Sequence, residues 1–269
     1  WHCNDCNEVT VEISDPKYCA HCQSKNLFAD PDVLDTWFSS ALWPHSTLGW
    51  PEDTQDLNRF YPTTVLETGY DILFFWVARM VMMGLENTNK IPFKTIYLHG
   101  LVLDPEGIKM SKTKGNVLDP LQLIDLYGAD ALRFALTTGN SPGNNQRMNE
   151  QKLEASRNFA NKLWNIARFV ITNISMSEHT YEWNDKFQLT HIEDQWIVSR
   201  LNNVIKQSNL HMKRFQFGEA QRIIHDFVWN EFADWYIEMV KIRLRDELKS
   251  DKNLKVLLIY ILENILRLL

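Results

Sequence analysis

Residues 63 to 98 decide the fold class. They begin Thr63-Thr64-Val65-Leu66-Glu67-Thr68-Gly69-Tyr70, run on through Asp71 to Leu85, and close on Thr95-Ile96-Tyr97-Leu98. Thr63 to Leu66 and Thr95 to Leu98 are β-branched or aromatic in character and read as short buried strands. Asp71 to Leu85 is apolar nearly all round, the pattern of a buried helix. Strand, helix and strand at this spacing make a βαβ unit, which implies a parallel sheet. Most of the prolines lie between residues 31 and 142, and that stretch alternates strand-like with helix-like segments.

Toward the C-terminus the pattern changes. After Gly143 one further glycine occurs, Gly218, and no proline at all. Long helical periods follow, so residues 143–269 read as an α-helical bundle. From about Gln151 to Ile174, Leu153, Ser156, Ala160, Leu163, Ala167, Val170 and Ile174 recur in steps of three and four as one stripe. Arg157, Asn161, Asn165 and Arg168 fall on the opposite face. Amides and guanidiniums so placed can bind phosphate and sugar without reading bases. A plain solvated face is the alternative. Trp164, Trp196 and Trp229 are expected to pack in the core.

Toward the N-terminus, residues 1–30 are polar and too few to bury an apolar core. All four cysteines of the chain fall there, at Cys3, Cys6, Cys19 and Cys22, a C-x2-C-x12-C-x2-C spacing. Two pairs of thiolates can close tetrahedrally on Zn²⁺, and four sulfurs leave no open position for chemistry, so a structural site is expected. Two disulfides, or unpartnered surface cysteines, are the alternatives. Nothing in the sequence suggests secretion, and a reducing compartment keeps thiols free.

The whole composition bounds these readings. The chain has 269 residues, 45% of them hydrophobic and 23% charged, which excludes a wholly disordered chain and a collagen-like one. That length suits two domains with cores of their own. The most apolar stretch, Ile72 to Gly84, is interrupted by Arg79, so a membrane span is not expected. The opening residues do not resemble a leader peptide. They lack an initiator Met, and the expectation is a segment of a longer polypeptide. Net charge is −6, against a generic nucleic-acid binder, but it is unevenly spread. Residues 1–139 carry 10 Lys/Arg against 18 Asp/Glu, and residues 140–269 carry 18 against 16. A polyanionic partner is therefore expected to touch the second half.

After the second strand comes Lys109-Met110-Ser111-Lys112-Thr113, then Lys114-Gly115-Asn116. Two lysines three apart, with a hydroxyl between them and a glycine behind, can wrap a polyphosphate and neutralise charge on a leaving pyrophosphate. A solvated basic loop is the bland alternative. Its placement favours the first reading, because ligands of open α/β sheets bind beyond the carboxyl ends of the strands.

That pentapeptide resembles the K-M-S-K-S loop of the class I aminoacyl-tRNA synthetases, with Thr113 keeping the hydroxyl of the final serine. The valyl branch of the family is the one resembled by Asp32-Val33-Leu34-Asp35-Thr36-Trp37-Phe38-Ser39-Ser40-Ala41-Leu42-Trp43-Pro44 and by Glu67-Thr68-Gly69-Tyr70-Asp71-Ile72-Leu73-Phe74-Phe75-Trp76. Arg157-Asn158-Phe159-Ala160-Asn161-Lys162-Leu163-Trp164-Asn165 and Trp229-Asn230-Glu231-Phe232-Ala233-Asp234-Trp235-Tyr236 resemble its helical domain. Asn144-Asn145-Gln146-Arg147-Met148 departs from the family, which usually carries a more acidic and aromatic turn there.

The resemblance implies a two-step reaction. Valine and ATP, with Mg²⁺, give valyl-adenylate and pyrophosphate, and the valyl group then passes to the terminal ribose of tRNA(Val). It assigns Lys109, Ser111 and Lys112 to catalysis, and Thr68, Gly69, Asp71, Ile72, His99, Gly100, Val102, Met110 and Lys112 to ATP. An ordinary helix N-cap is the alternative for Asp71, and a buried core histidine the alternative for His99. Trp37 and Trp76 would wall a valine pocket, and Arg157, Asn161, Asn165 and Arg168 would meet tRNA. A dry pocket of this kind selects by size and rejects threonine poorly, a case the handling of valine and threonine by such enzymes already illustrates.

The fold implied is the second half of a Rossmann-type catalytic domain at 31–142, preceded by the zinc-binding segment at 1–30 and followed by an anticodon-binding bundle at 143–269. The family's His-Ile-Gly-His-type motif does not occur in the sequence. The first half of the nucleotide fold and the editing insertion are expected ahead of residue 1, so the segment alone is expected to be inactive. A cytoplasmic, monomeric parent is implied. Two other readings remain open: a stand-alone zinc-ribbon and helical RNA-binding module, and an isoleucyl enzyme. The isoleucyl branch typically has Asp-Val-Trp-Phe-Asp-Ser-Gly and Glu-Gly-Ser-Asp-Gln, and neither is present.

Overall fold

The polar first thirty residues are organised by a short antiparallel ribbon, β1 (His2–Cys3) with β2 (Leu27–Phe28), with His2 opposite Phe28 and Cys3 opposite Leu27. The structure, a computed structural model, describes residues 1–173, 189–245 and 252–269. Two units divide the chain: Trp1–Leu66 with Asp71–Thr95, and Glu67–Tyr70 with Ile96–Leu269.

In the first unit, α1 (Thr36–Ser46) starts at Asp35, whose carboxylate accepts the Trp37 N–H at 3.3 Å. This satisfies one of the amides that a helix start leaves orphaned. Thr54 caps α2 (Gln55–Phe60) in the same way, taking the Leu57 N–H at 3.1 Å. β3 (Thr63–Gly69) then leads through a 3₁₀ turn (Tyr70–Ile72) and a π-helix (Leu73–Ala78) into α3 (Arg79–Thr88). Asn89, in the left-handed conformation at φ 55°, ends α3 and turns the chain toward β4 (Phe93–His99).

β3 and β4 pair. Thr63 at the start of β3 donates to the Pro92 oxygen just ahead of β4, at 2.9 Å, and Glu67 lies beside His99 at the far end. The strands therefore run the same way, as the βαβ spacing requires.

The burial expected of these elements is only partly present. Val77, Met80 and Gly84 form the covered line, with Phe93 completing a small core. A Cβ on Gly84 would come within 2.9 Å of the Tyr61 hydroxyl and 3.1 Å of the Pro92 ring, so that face is closely packed. Yet Phe74 is 74% exposed, Met82 is exposed, and so are Val65 and Ile96 on the strands. A segment apolar on every side needs neighbours on every side, and within the first unit α1, Leu66 and Phe93 cover one side only.

The second unit carries β5 (Val102–Leu103) and β6 (Gln146–Arg147), which pair in parallel. Between them lie α4 (Pro120–Tyr127), capped by Asp119 with proline at its first position, and α5 (Ala129–Thr137). The bundle follows: α6 (Glu150–Asn173), α7 (Ile192–Lys213), α8 (Phe217–Asp226), a second π-helix (Phe227–Tyr236), α9 (Ile237–Arg245) and α10 (Lys252–Leu268). Its core joins Phe159, Ile166 and Val170 of α6 to Leu201, Phe227, Phe232, Val240, Leu257 and Ile261.

On α6 the stripe expected from the sequence is present at Leu153, Ser156 and Val170, with Ala160, Leu163 and Ala167 half-buried. Phe159 and Ile166 sink deeper than those three, which rotates the buried face toward them. Ile174 lies outside the described residues. Trp196 and Trp229 pack against the core as expected, but Trp164 does not. It is 73% exposed, because the rotation of the buried face leaves its position on the outer side of the helix.

Candidate functional site

Cys3, Cys6, Cys19 and Cys22 converge in the ribbon at the start of the first unit. Their four Sγ atoms lie within 4.8 Å of one another, with Cys3 to Cys22 at 3.5 Å and Cys6 to Cys19 at 3.6 Å. All four are free thiols, so the disulfide alternative is not what the structure adopts. A tetrahedral ion with metal–sulfur bonds of about 2.3 Å requires sulfur–sulfur edges of about 3.8 Å, so the set fits one. The thiol of Cys19 is held down at about 6, chiefly by the backbone N–H of Cys22, with the N–H of His21 and Cys6 also favouring the thiolate. A thiolate is the form that ligates a metal. His2 is turned away, stacked on Phe28 and bonded through Nε2 to Asp30 at 2.9 Å.

Trp37 and Trp76 come to adjacent elements, α1 and the π-helix. They do so in two stacks: Trp37 on Phe75 at 5.9 Å between centroids, and Trp76 on Trp43 at 5.8 Å with the planes 18° apart. The indole N–H of Trp76 donates to the Ser40 backbone oxygen at 3.1 Å. Trp43 was legible in the sequence as part of the Trp37–Pro44 run, but its pairing with Trp76 was not.

Thr68 and Gly69, the last residues of β3, are buried, and Asp71 in the 3₁₀ turn that follows is exposed. Asp71 is not the N-cap of the π-helix; Ile72 holds that place, and no side chain caps it. His99, at the end of β4, is half-buried rather than a core residue; its Nδ1 bonds the Gly100 oxygen at 2.9 Å and its Nε2 lies 3.9 Å from Glu67. Gly100 is demanded by packing as well: a Cβ there would sit 1.6 Å from the Asn144 backbone oxygen.

Beyond β5 the chain turns tightly at Asp104 to Ile108 and returns through a bridge between Leu103 and Lys109. Met110 then packs beside Val102 and Leu118 against Leu132, Ala135, Met148 and Leu153. Lys112–Lys114 form a 3₁₀ turn ended by Gly115 at φ 69°, where a residue with a Cβ would be strained. Lys109, Lys112, Thr113 and Lys114 are exposed, and Ser111 Oγ lies 2.7 Å from Thr113 Oγ1. Exposed ammonium groups on a short turn whose apolar neighbour is anchored are suited to grip a polyphosphate.

On α6, Asn161, Asn165 and Arg168 are exposed together on one face. Arg157 departs from them: it is half-buried, with its guanidinium over the Tyr127 ring at 5.5 Å and 4.0 Å from Glu154. Arg200 forms a two-point pair with Glu231 at 2.6 and 2.7 Å, and Lys162 pairs with Asp234 at 2.8 Å, so much of the bundle's charge is paired within it.

In chain order, a four-cysteine segment, a parallel strand pair, an exposed lysine turn and a helical bundle make up the organisation of a class I synthetase catalytic-domain segment joined to an anticodon-binding domain. The chain belongs to the class I tRNA synthetases (I, L, M and V), whose family model matches residues 4–149, and the model of the anticodon-binding domain of tRNA ligase matches residues 194–269. It is 57% identical over all 269 residues to the valine--tRNA ligase of Dehalococcoides mccartyi, and 56% identical over 243 residues to that of Clostridium tetani. The chain spans 30% of the first relative's length and 27% of the second's, covering 100% and 90% of itself. Among solved structures, the LeuRS of Agrobacterium radiobacter in its ternary complex with tRNA and LeuAMS superposes with a TM-score of 0.74. It is 21% identical, covering 99% of this chain and 36% of that one. The methionyl-tRNA synthetase of Mycobacterium tuberculosis with methionyl-adenylate gives 0.63 at 20% identity, covering 83% of this chain and 44% of that one. At those identities the likeness establishes the fold.

Proposed function

We propose that residues 1–269 carry the lysine-loop half of the active site and the tRNA-facing bundle of a cytoplasmic valine--tRNA ligase, monomeric when whole. The observation that carries this is the 57% identity along the entire chain, spanning the Lys109–Thr113 loop, the Trp37 and Trp76 segments and the bundle. The organisation that follows is a structural zinc segment at 1–30, the catalytic half at 31–142 and the anticodon-binding bundle at 143–269.

In the first step a carboxylate oxygen of valine attacks the α-phosphorus of ATP, and the bond to pyrophosphate breaks. Negative charge builds on the departing pyrophosphate. The exposed ammonium groups of Lys109 and Lys112 sit on a turn that can close on it, and Ser111 offers a hydroxyl donor. Mg²⁺ arriving with ATP would add charge neutralisation there. Thr68, Gly69, Asp71 and Ile72, with His99, Gly100 and the backbone of Val102 and Met110, bind the adenosine end. Gly69 permits close approach of the backbone, and the exposed Asp71 carboxylate accepts from ribose hydroxyls. Trp37 and Trp76 give valine an aromatic wall without polar groups, so selection is by size.

In the second step a terminal ribose hydroxyl of tRNA(Val) attacks the acyl carbon and AMP leaves. Asn161, Asn165 and Arg168 present the contact face on α6, and Arg157 supports it from beside Tyr127. The four cysteines would hold zinc, and the ion would staple a segment that has no apolar core of its own.

The test is a graft. Residues 1–269 replace the corresponding part of the Dehalococcoides mccartyi enzyme, and amino-acid-dependent pyrophosphate exchange is measured with valine, isoleucine and threonine. Exchange that prefers valine supports the reading; exchange that prefers isoleucine, or none in a folded graft, overturns it.

A further inference from the structure

Asp104 is buried at 5% exposure although it carries a carboxylate at the base of an exposed loop. One of its oxygens accepts the Ile108 N–H at 2.6 Å and the other accepts Asn116 Nδ2 at 2.7 Å. Asn116 in turn uses its oxygen to accept the Ser111 N–H at 2.9 Å, and its Nδ2 also approaches the Lys109 oxygen at 3.4 Å. Two side chains thus bridge the turn before the lysine loop to the loop's own backbone, on either side of Lys109 and Met110.

We propose that Asp104 and Asn116 form a latch that holds the Lys109–Thr113 loop in the shape from which Lys112 acts, which makes them positioning residues for the adenylation step. The inference rests on the activity proposed above. Met110 and Leu118 fasten the flanks of the loop to the small core beneath, but apolar packing is non-directional and does not set how the turn between them is aimed. The hydrogen-bond relay does. It fixes the Ser111 amide, the residue directly before Lys112, relative to the turn at Asp104. Positional control of this kind matters most in the transition state, when charge has moved onto the leaving group.

The relay has a rule that makes it testable. It begins and ends on backbone donors, Ile108 N–H and Ser111 N–H, so the relay itself needs three acceptor positions and one donor from the two side chains, the longer Asn116 Nδ2 contact to the Lys109 oxygen lying outside it. Asp followed by Asn supplies that set, and so does Asn followed by Asp. Two amides leave a donor facing a donor, and two carboxylates set acceptor against acceptor.

The variants are therefore Asp104→Asn, Asn116→Asp, and the exchange Asp104→Asn/Asn116→Asp. Trypsin cleavage after Lys112 and Lys114 is followed in the 269-residue chain together with its thermal unfolding midpoint. Valine-dependent pyrophosphate exchange is followed in the graft. Each single variant is expected to speed loop cleavage and to lower kcat about tenfold or more, with KM for valine within about twofold of the parent and the unfolding midpoint little changed. The exchanged pair restores the relay but sets a carboxylate oxygen against the Lys109 oxygen. It is therefore expected to recover part of both cleavage resistance and kcat, with kcat at least about threefold above either single variant. Single variants with the parent's kcat, a loss of kcat without faster cleavage, or an exchanged pair as impaired as either single variant would each overturn the latch. A parent graft with no exchange overturns the activity reading and the positioning role with it, and the cleavage series alone then decides whether the latch exists.

Discussion

Trp76 and Ser40 are joined by a hydrogen bond from the indole N–H to the backbone oxygen, 3.1 Å long, which ties the π-helix to the middle of α1. The bond holds the ring flat against Trp43 and leaves its orientation little freedom. Trp76→Phe keeps an aromatic surface but deletes the donor, and is expected to cost about 1 kcal/mol of stability in denaturant unfolding. Trp76→Ala, at a half-buried position, is expected to cost about 2 kcal/mol and to raise the valine KM of the graft about tenfold, with ATP dependence less affected. Unchanged exchange in Trp76→Ala would make the ring a packing residue only.

The thiol cluster predicts one zinc per chain, bound by Cys3, Cys6, Cys19 and Cys22 at about 2.3 Å. Elemental analysis of protein prepared without chelators should find it, and Cys19→Ser should lose it. Metal-free protein, or a disulfide between Cys3 and Cys22 under reducing conditions, would contradict the assignment.

Lys112 stands on an exposed turn, and the proposed ATP contacts at Thr68 to Ile72 and His99 to Val102 do not include it. Lys112→Ala in the graft is expected to slow adenylate formation by about a hundredfold or more while ATP affinity changes by much less. Single-turnover measurements separate the two effects. A near-normal rate would make the loop a bystander.

His45 is fully buried on α1, with Nε2 3.0 Å from Asn87 Nδ2 and its ring edge-on to Trp50 and Tyr61. Burial lowers its pKa below the ordinary 6.5. The unfolded chain therefore takes up a proton before the folded one does. Stability is fully present above 6.5 and declines as pH falls from there toward the lowered folded value. The unfolding midpoint should fall between pH 7.5 and 5, and His45→Gln should flatten part of that slope; an unaltered slope would assign it to other groups.

In the bundle, Tyr236 donates its hydroxyl to Asp194 at 2.7 Å, and Arg243 reaches the same carboxylate oxygen at 2.7 Å. Burial, followed by the Asp194 charge, pushes the phenol pKa above its usual range. Tyr236→Phe leaves a buried acceptor short of one donor and is expected to cost about 1–3 kcal/mol. Denaturant titration of the chain reads this, and a cost near zero would show that Arg243 alone satisfies Asp194.

Spacing was the most informative feature of the sequence. The cysteine pairs, the strand–helix–strand order at 63–98 and the lysine turn are local patterns, and each is present. What depended on neighbours was less legible. Phe74 and Val65 carry the composition of buried residues, yet their burial depends on what surrounds them rather than on their own period. Trp164 was misplaced because a stripe defined by small residues cannot register a shift of the buried face toward Phe159 and Ile166. The Asp104–Asn116 pair was invisible for another reason: the residues are twelve apart, and only the turn between them brings them together. The Asp-x-x-Gly turn at 104–107 and the asparagine after Gly115 were the available signals.

The π-helix at Leu73–Ala78 gives the aromatic wall a discrete setting. Such a turn holds one residue more than an α-helix over the same stretch. Losing one codon from Val77 or Ala78 would let the segment relax to α geometry and swing Trp76 by about 100° around the axis relative to Met80. The Ser40 bond and the Trp43 stack would then both be out of reach. The setting of the Trp76 ring is therefore guarded by helical phase as well as by side-chain identity, and a deletion would re-aim it in a way that no single substitution at Trp76 would.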